Sequence, residues 1–95
     1  MISYGVPMYA LELAFDDVND ERRLAARVAH REQLAQLHLR GLLVMCGPWQ
    51  DETGALLIFR TDEEGMRDIL DADPYYSMPG VTVVSSRAWA PIIGT

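Results

Sequence analysis

Six apolar segments of two different periods follow one another in 95 residues, and their order is what most constrains the fold. From Val6 to Phe15 the side chains of Tyr9, Leu11, Leu13 and Phe15 recur at every second position, the repeat of a strand with one buried face. Ala10, Glu12 and Ala14 fall on the other face, and Pro7 suits only a strand start or edge. Asp16-Asp17-Val18-Asn19-Asp20-Glu21 then offers several N-cap residues, with acid where the helix dipole favours it. The helix is expected to run to about Arg40 and to stop at Gly41. Ala26, His30, Leu34, Leu37 and Gly41 line one stripe of it, and Leu24, Val28, Ala35 and Leu39 form a second strip well around the helix. One small sheet cannot bury both strips, so part of the helix is expected to be free to meet another subunit.

Leu42 to Cys46 is a continuous apolar run of strand length, ended by a tight turn at Gly47-Pro48-Trp49. A polar link through Gly54 joins it to a third strand, Ala55 to Arg60, in an antiparallel pair. Thr61 and Glu64 have capping-box spacing for a second helix, whose core face is Met66, Ile69 and Leu70. That helix must end near Asp73, because Pro74 disfavours helical geometry in the residue before it. Val81 to Trp89 is the last strand, with Val81, Val83 and Ser85 alternating against Thr82, Val84 and Ser86, and residues 90–95 are a tail. The order β-α-β-β-α-β is the α+β, ferredoxin-like plan: a four-stranded antiparallel sheet with two helices on one face. Residues 1–95 make a single domain. Its uncovered sheet face is apolar, and an apolar face in so small a protein calls for a partner, so a homodimer or larger homo-oligomer is expected.

Composition narrows the chemistry. The 49% hydrophobic content is too high for a disordered chain. The net charge is −6, and all eight basic residues are arginines, which excludes a lysine Schiff base. An acidic chain with no arginine cluster is a poor partner for nucleic acid or a membrane surface. The single cysteine, Cys46, excludes an internal disulfide and reads as a small buried hydrophobe in a strand. No apolar run is long enough to span a membrane, and Met1 to Gly5 does not open a signal peptide, so a cytoplasmic protein is expected. There is no phosphate-cradling glycine loop and no His-x-x-x-His pair, so neither a nucleotide cofactor nor a metal is expected.

Two polar residues remain. His30 lies mid-helix on an apolar stripe, and Asp73 closes the second helix. A histidine and a carboxylate are the minimum kit for proton transfer, since imidazole titrates near neutral pH. The bland readings stand beside this one: a core histidine satisfied by a backbone carbonyl, and a turn carboxylate before proline. Pro48 and Trp49 at the end of the second strand, with Tyr75 and Tyr76 after Asp73, are candidate substrate-binding residues. Trp89 reads as a core or dimer contact, and His38 as a surface residue.

His30 with Leu34, Leu37 and Gly41, then Gly47-Pro48, Gly54, Asp73-Pro74-Tyr75 and Trp89 form an ordered set. In this the chain resembles the YCII-related family of small bacterial proteins over about residues 8 to 90. Met8-Tyr9 looks like the family's start, which makes residues 1–7 an expected extension. The resemblance implies a fold similar to dimeric α/β-barrel proteins such as muconolactone isomerases. It also implies a His30–Asp73 pair in a pocket, and one branch of the family resembles a dehydrochlorinase acting on a chlorinated hydroxyhydroquinone. Tyr76 stands where many relatives carry less bulky residues. The expected function is cofactor-free acid–base chemistry on a small aromatic or enol-type substrate, as isomerisation or elimination. The alternatives are a non-catalytic small-ligand-binding or accessory dimeric domain, and an interaction protein with a filled core.

Overall fold

Leu11 and Leu13 are buried, and the strand that carries them, β1 (Tyr9–Phe15), is central in the sheet. The computed structural model describes residues 6–94. After β1 come α1 (Glu21–Leu39), β2 (Leu43–Pro48), β3 (Gly54–Phe59), α2 (Glu63–Ala72), a short 3-10 helix (Pro74–Ser77) and β4 (Val81–Ala88). The strands form one antiparallel sheet in the order β2-β3-β1-β4. Leu34 and Leu37 of α1 and Met66 and Ile69 of α2 join Leu11, Leu13, Leu57 and Phe59 in a single buried cluster, so both helices cover the same face. This is the expected α+β, ferredoxin-like arrangement.

Local chemistry sets the boundaries. β1 begins at Tyr9 rather than Val6, because Pro7 has no N–H for the ladder; the last bond at that end joins Trp89 N–H to the Met8 carbonyl. The α1 N-cap is Asp20, whose side chain accepts from Arg22 N–H. Gly41 ends the helix in the left-handed region at φ +78°, and Leu42 N–H returns to the Leu37 carbonyl. In α2 the cap is Asp62, not Thr61: its Oδ1 accepts from Gly65 N–H at 2.9 Å. α2 stops at Ala72, and Asp73 is extended before Pro74.

β2 runs on through Gly47 and Pro48, which pair with Leu56 and Ala55, so the turn falls at Trp49–Gly54 instead of at Gly47-Pro48-Trp49. A proline is tolerated there because β2 is an edge strand. Gly54 is required for packing: a Cβ at that position would run into the Leu13 carbonyl of β1. β4 departs from simple alternation. Opposite the step from Glu12 to Leu13 the register skips Val84, so Ser85 pairs with Glu12 and not on the face of Val83.

Of the second strip of α1, Leu39 is 79% accessible and Val28 is also open, while Leu24 is half-buried. Met45 and Leu56 are exposed on the face of the sheet away from the helices. Trp89 is half-exposed and is not a core residue. Among the described residues no helix is long and apolar enough to cross a membrane. Residues 1–5 of the expected extension lie outside the described residues.

Candidate active site

His30 projects from the same stripe of α1 as Leu34 and Leu37, and all three are buried. Asp73 is delivered from the other side of the core by the abrupt end of α2. The two side chains meet: Asp73 Oδ2 lies 2.7 Å from His30 Nδ1, and each residue is only 7% exposed. The other carboxylate oxygen, Oδ1, accepts from Tyr75 N–H at 3.0 Å and holds the 3-10 turn in place. His30 is therefore satisfied by a carboxylate, not by a backbone carbonyl. A carboxylate only accepts, so Nδ1 carries the proton and Nε2 keeps its lone pair. The Tyr75 ring stacks on the imidazole at 3.9 Å and 5°, and the Tyr76 ring meets it edge-on at 5.2 Å. Together these contacts fix the ring plane.

Burial holds the His30 pKa below its usual value, the Asp73 hydrogen bond and charge oppose that, and the Arg31 charge adds to it. At neutral pH the ring is neutral, as a general base must be before it takes a proton. Burial, followed by the Asp73 charge, pushes the Tyr76 phenol well up. Tyr76 hydroxyl is buried without a hydrogen-bond partner among the described residues.

Between α1 and the β2 side of the sheet lies a cleft of about 460 Å³. Its walls are largely apolar, Leu13, Leu34 and Leu57 among them, and this is the usual composition of a small-molecule site. Of the expected residues, His30, Pro48 and Tyr75 line it. Asp73 and Tyr76 do not; they sit against His30 from the far side. Trp49 does not line it either, and is half-exposed beside Gly54. Cys46 is exposed rather than buried, because it borders the open cleft. Desolvation pushes its thiol pKa up, with Arg31 opposing. His38 also borders the cleft and donates from Nδ1 to the Leu43 carbonyl at 2.8 Å.

The expectation of no arginine cluster is corrected by the fold. Arg23, Arg27 and Arg31 all line this one cleft, and Arg23 is buried. Their signal in the sequence is the i, i+4, i+8 spacing, which stacks three side chains on one face of a helix. The sequence matches no protein-family model and no curated protein.

Proposed function

We propose that the chain is a small enzyme whose general base is His30, positioned by Asp73, acting without a cofactor on a small aromatic or enol-type substrate. The observation that carries this reading is the buried 2.7 Å His30–Asp73 contact on the wall of a cleft of about 460 Å³. Nδ1 is committed to Asp73, and Nε2 makes no hydrogen bond among the described residues, so Nε2 is the atom that takes and returns a proton. A pair of this kind supports isomerisation, or an elimination such as dehydrochlorination. Nucleophilic catalysis has less support: none of Ser77, Ser85 and Ser86 lines the cleft, and the Cys46 thiol is held protonated. The resemblance to YCII-related proteins points the same way. A second copy of the chain over the exposed Met45 and Leu56 face belongs to the same proposal, and sedimentation at twice the monomer mass is the expected result.

A panel of small enols and halogenated phenols, read by solvent deuterium uptake and chloride release, tests the chemistry. His30→Ala is expected to lower turnover about 10²–10⁴-fold, the usual contribution of a positioned base. For the parent, kcat/KM should climb with rising pH through a pKa below the ordinary histidine value and then hold level, because the base works only when unprotonated. Full turnover by His30→Ala overturns the proposal. Tight binding of a panel member that is never converted supports the non-catalytic binding domain instead.

A further inference from the structure

Three arginines line the cleft of a chain whose net charge is −6, against one acidic residue, Glu52. Arg23 is the deepest of them, at 4% exposure. Its guanidinium carbon lies 4.1 Å from the Phe15 ring centroid. Nη1 donates to the Tyr75 hydroxyl at 3.4 Å and Nη2 donates to the Val18 carbonyl at 3.1 Å. Its Nε–H is buried with no partner among the described residues. The ion pairs among those residues join Arg22 to Asp20, His30 to Asp73 and Arg67 to Glu63, so none of the three cleft arginines meets a carboxylate. A guanidinium cannot shed its proton to escape burial. A phenol, a carbonyl and an aromatic face leave its charge without a counter-ion, which is costly in a buried setting.

We propose that the cleft takes an organic anion, a small carboxylate with an apolar body, bound through Arg23, with Arg27 and Arg31 supplying the field that draws it in. The planar fork of a guanidinium matches a carboxylate, and desolvation strengthens the contact. Leu13, Phe15, Leu34 and Leu57 of the cleft wall receive the apolar body. Tyr75 joins this site to the base, since its hydroxyl accepts from Arg23 while its ring stacks on His30. An anion held at Arg23 thus has its body within reach of the imidazole. What then happens to the ligand rests on His30 being a base; the binding itself does not.

The probes are benzoate, its neutral counterpart benzamide, and inorganic phosphate, titrated into the full chain and read by the rise in Tm and by NMR shifts. Benzoate is expected to bind at least about tenfold more tightly than benzamide, the worth of a charge-assisted bond, and more tightly than phosphate, which has no apolar body. Arg23→Met exchanges an uncompensated buried cation for an apolar chain, so it is expected to fold and to lose benzoate about tenfold or more. Benzamide or phosphate matching benzoate overturns the proposal, as does parent-like benzoate affinity in Arg23→Met. If that variant fails to fold, Arg27→Gln with Arg31→Gln decides: weaker binding with a flatter salt dependence supports the site, and unchanged binding overturns it. Benzoate affinity in Arg23→Met reads the anion site and turnover in His30→Ala reads the base, so failure of the anion site and failure of the base chemistry appear in separate measurements.

Discussion

Phe59→Ala is expected to lower stability by about 3–5 kcal/mol. Phe59 is fully buried, at the end of β3, where it pairs with Tyr9 of β1 and with Leu43 of β2. Truncation removes its transfer free energy and leaves a hole between the sheet and the helices, where Phe59 packs in one cluster with Leu11, Leu37 and Met66. A domain of 95 residues holds about 5–14 kcal/mol in total at the usual stability per residue. The substitution therefore takes a large fraction of it, and Tm should fall by about 4–8 °C for each kcal/mol. Urea unfolding of Phe59→Ala beside Leu39→Ala makes the comparison, because Leu39 is exposed on the free strip of α1 and should change stability by less than about 0.5 kcal/mol. Equal effects at the two positions would mean that Phe59 does not sit at the centre of the core.

Most of the scaffold was legible because it rests on local physics. The two-residue repeat of β1, the Gly41 stop and the Asp73-Pro74 break each act within a few residues, and each appears where the chain says it should. What was not legible depends on distant partners. The skip at Val84 exists only in the pairing of β4 with β1. Cys46 is exposed where β2 borders the open cleft, while Leu43 of the same strand is buried, and that difference follows from the packing of α1 and not from its apolar neighbours in sequence.

The site divides in the same way. His30 and Asp73 could be singled out by type, but their contact depends on how α1 meets the 3-10 turn. The burial of Arg23 depends on Phe15 below it and on Tyr75, 52 residues away. A charged residue beside a helix start reads as solvated until those partners are in place.

Asp73 carries the second large effect, and two substitutions separate its structural role from its chemical one. Asp73→Ala strips the acceptor from two buried donors at once, His30 Nδ1–H and Tyr75 N–H. At about 1–3 kcal/mol for each orphaned donor, the loss is about 2–6 kcal/mol, and the 3-10 turn is expected to loosen. Asp73→Asn keeps an oxygen for Tyr75 N–H and turns an amide N–H₂ towards the imidazole. His30 Nδ1 must then accept, so the ring proton moves to Nε2 and the base loses its lone pair on the working side. The stability cost is expected to be smaller than for alanine, while turnover drops by the full contribution of the base, about 10²–10⁴-fold. The carboxylate also raises the His30 pKa against the effect of burial, so its removal should move the protonation of the ring to still lower pH. Nitrogen-15 NMR of the ring reads the tautomer, and a pH titration of the same signals reads the shift. An Asp73→Asn protein with its proton still on Nδ1 and its turnover intact would show that Asp73 holds the turn and does not orient the base.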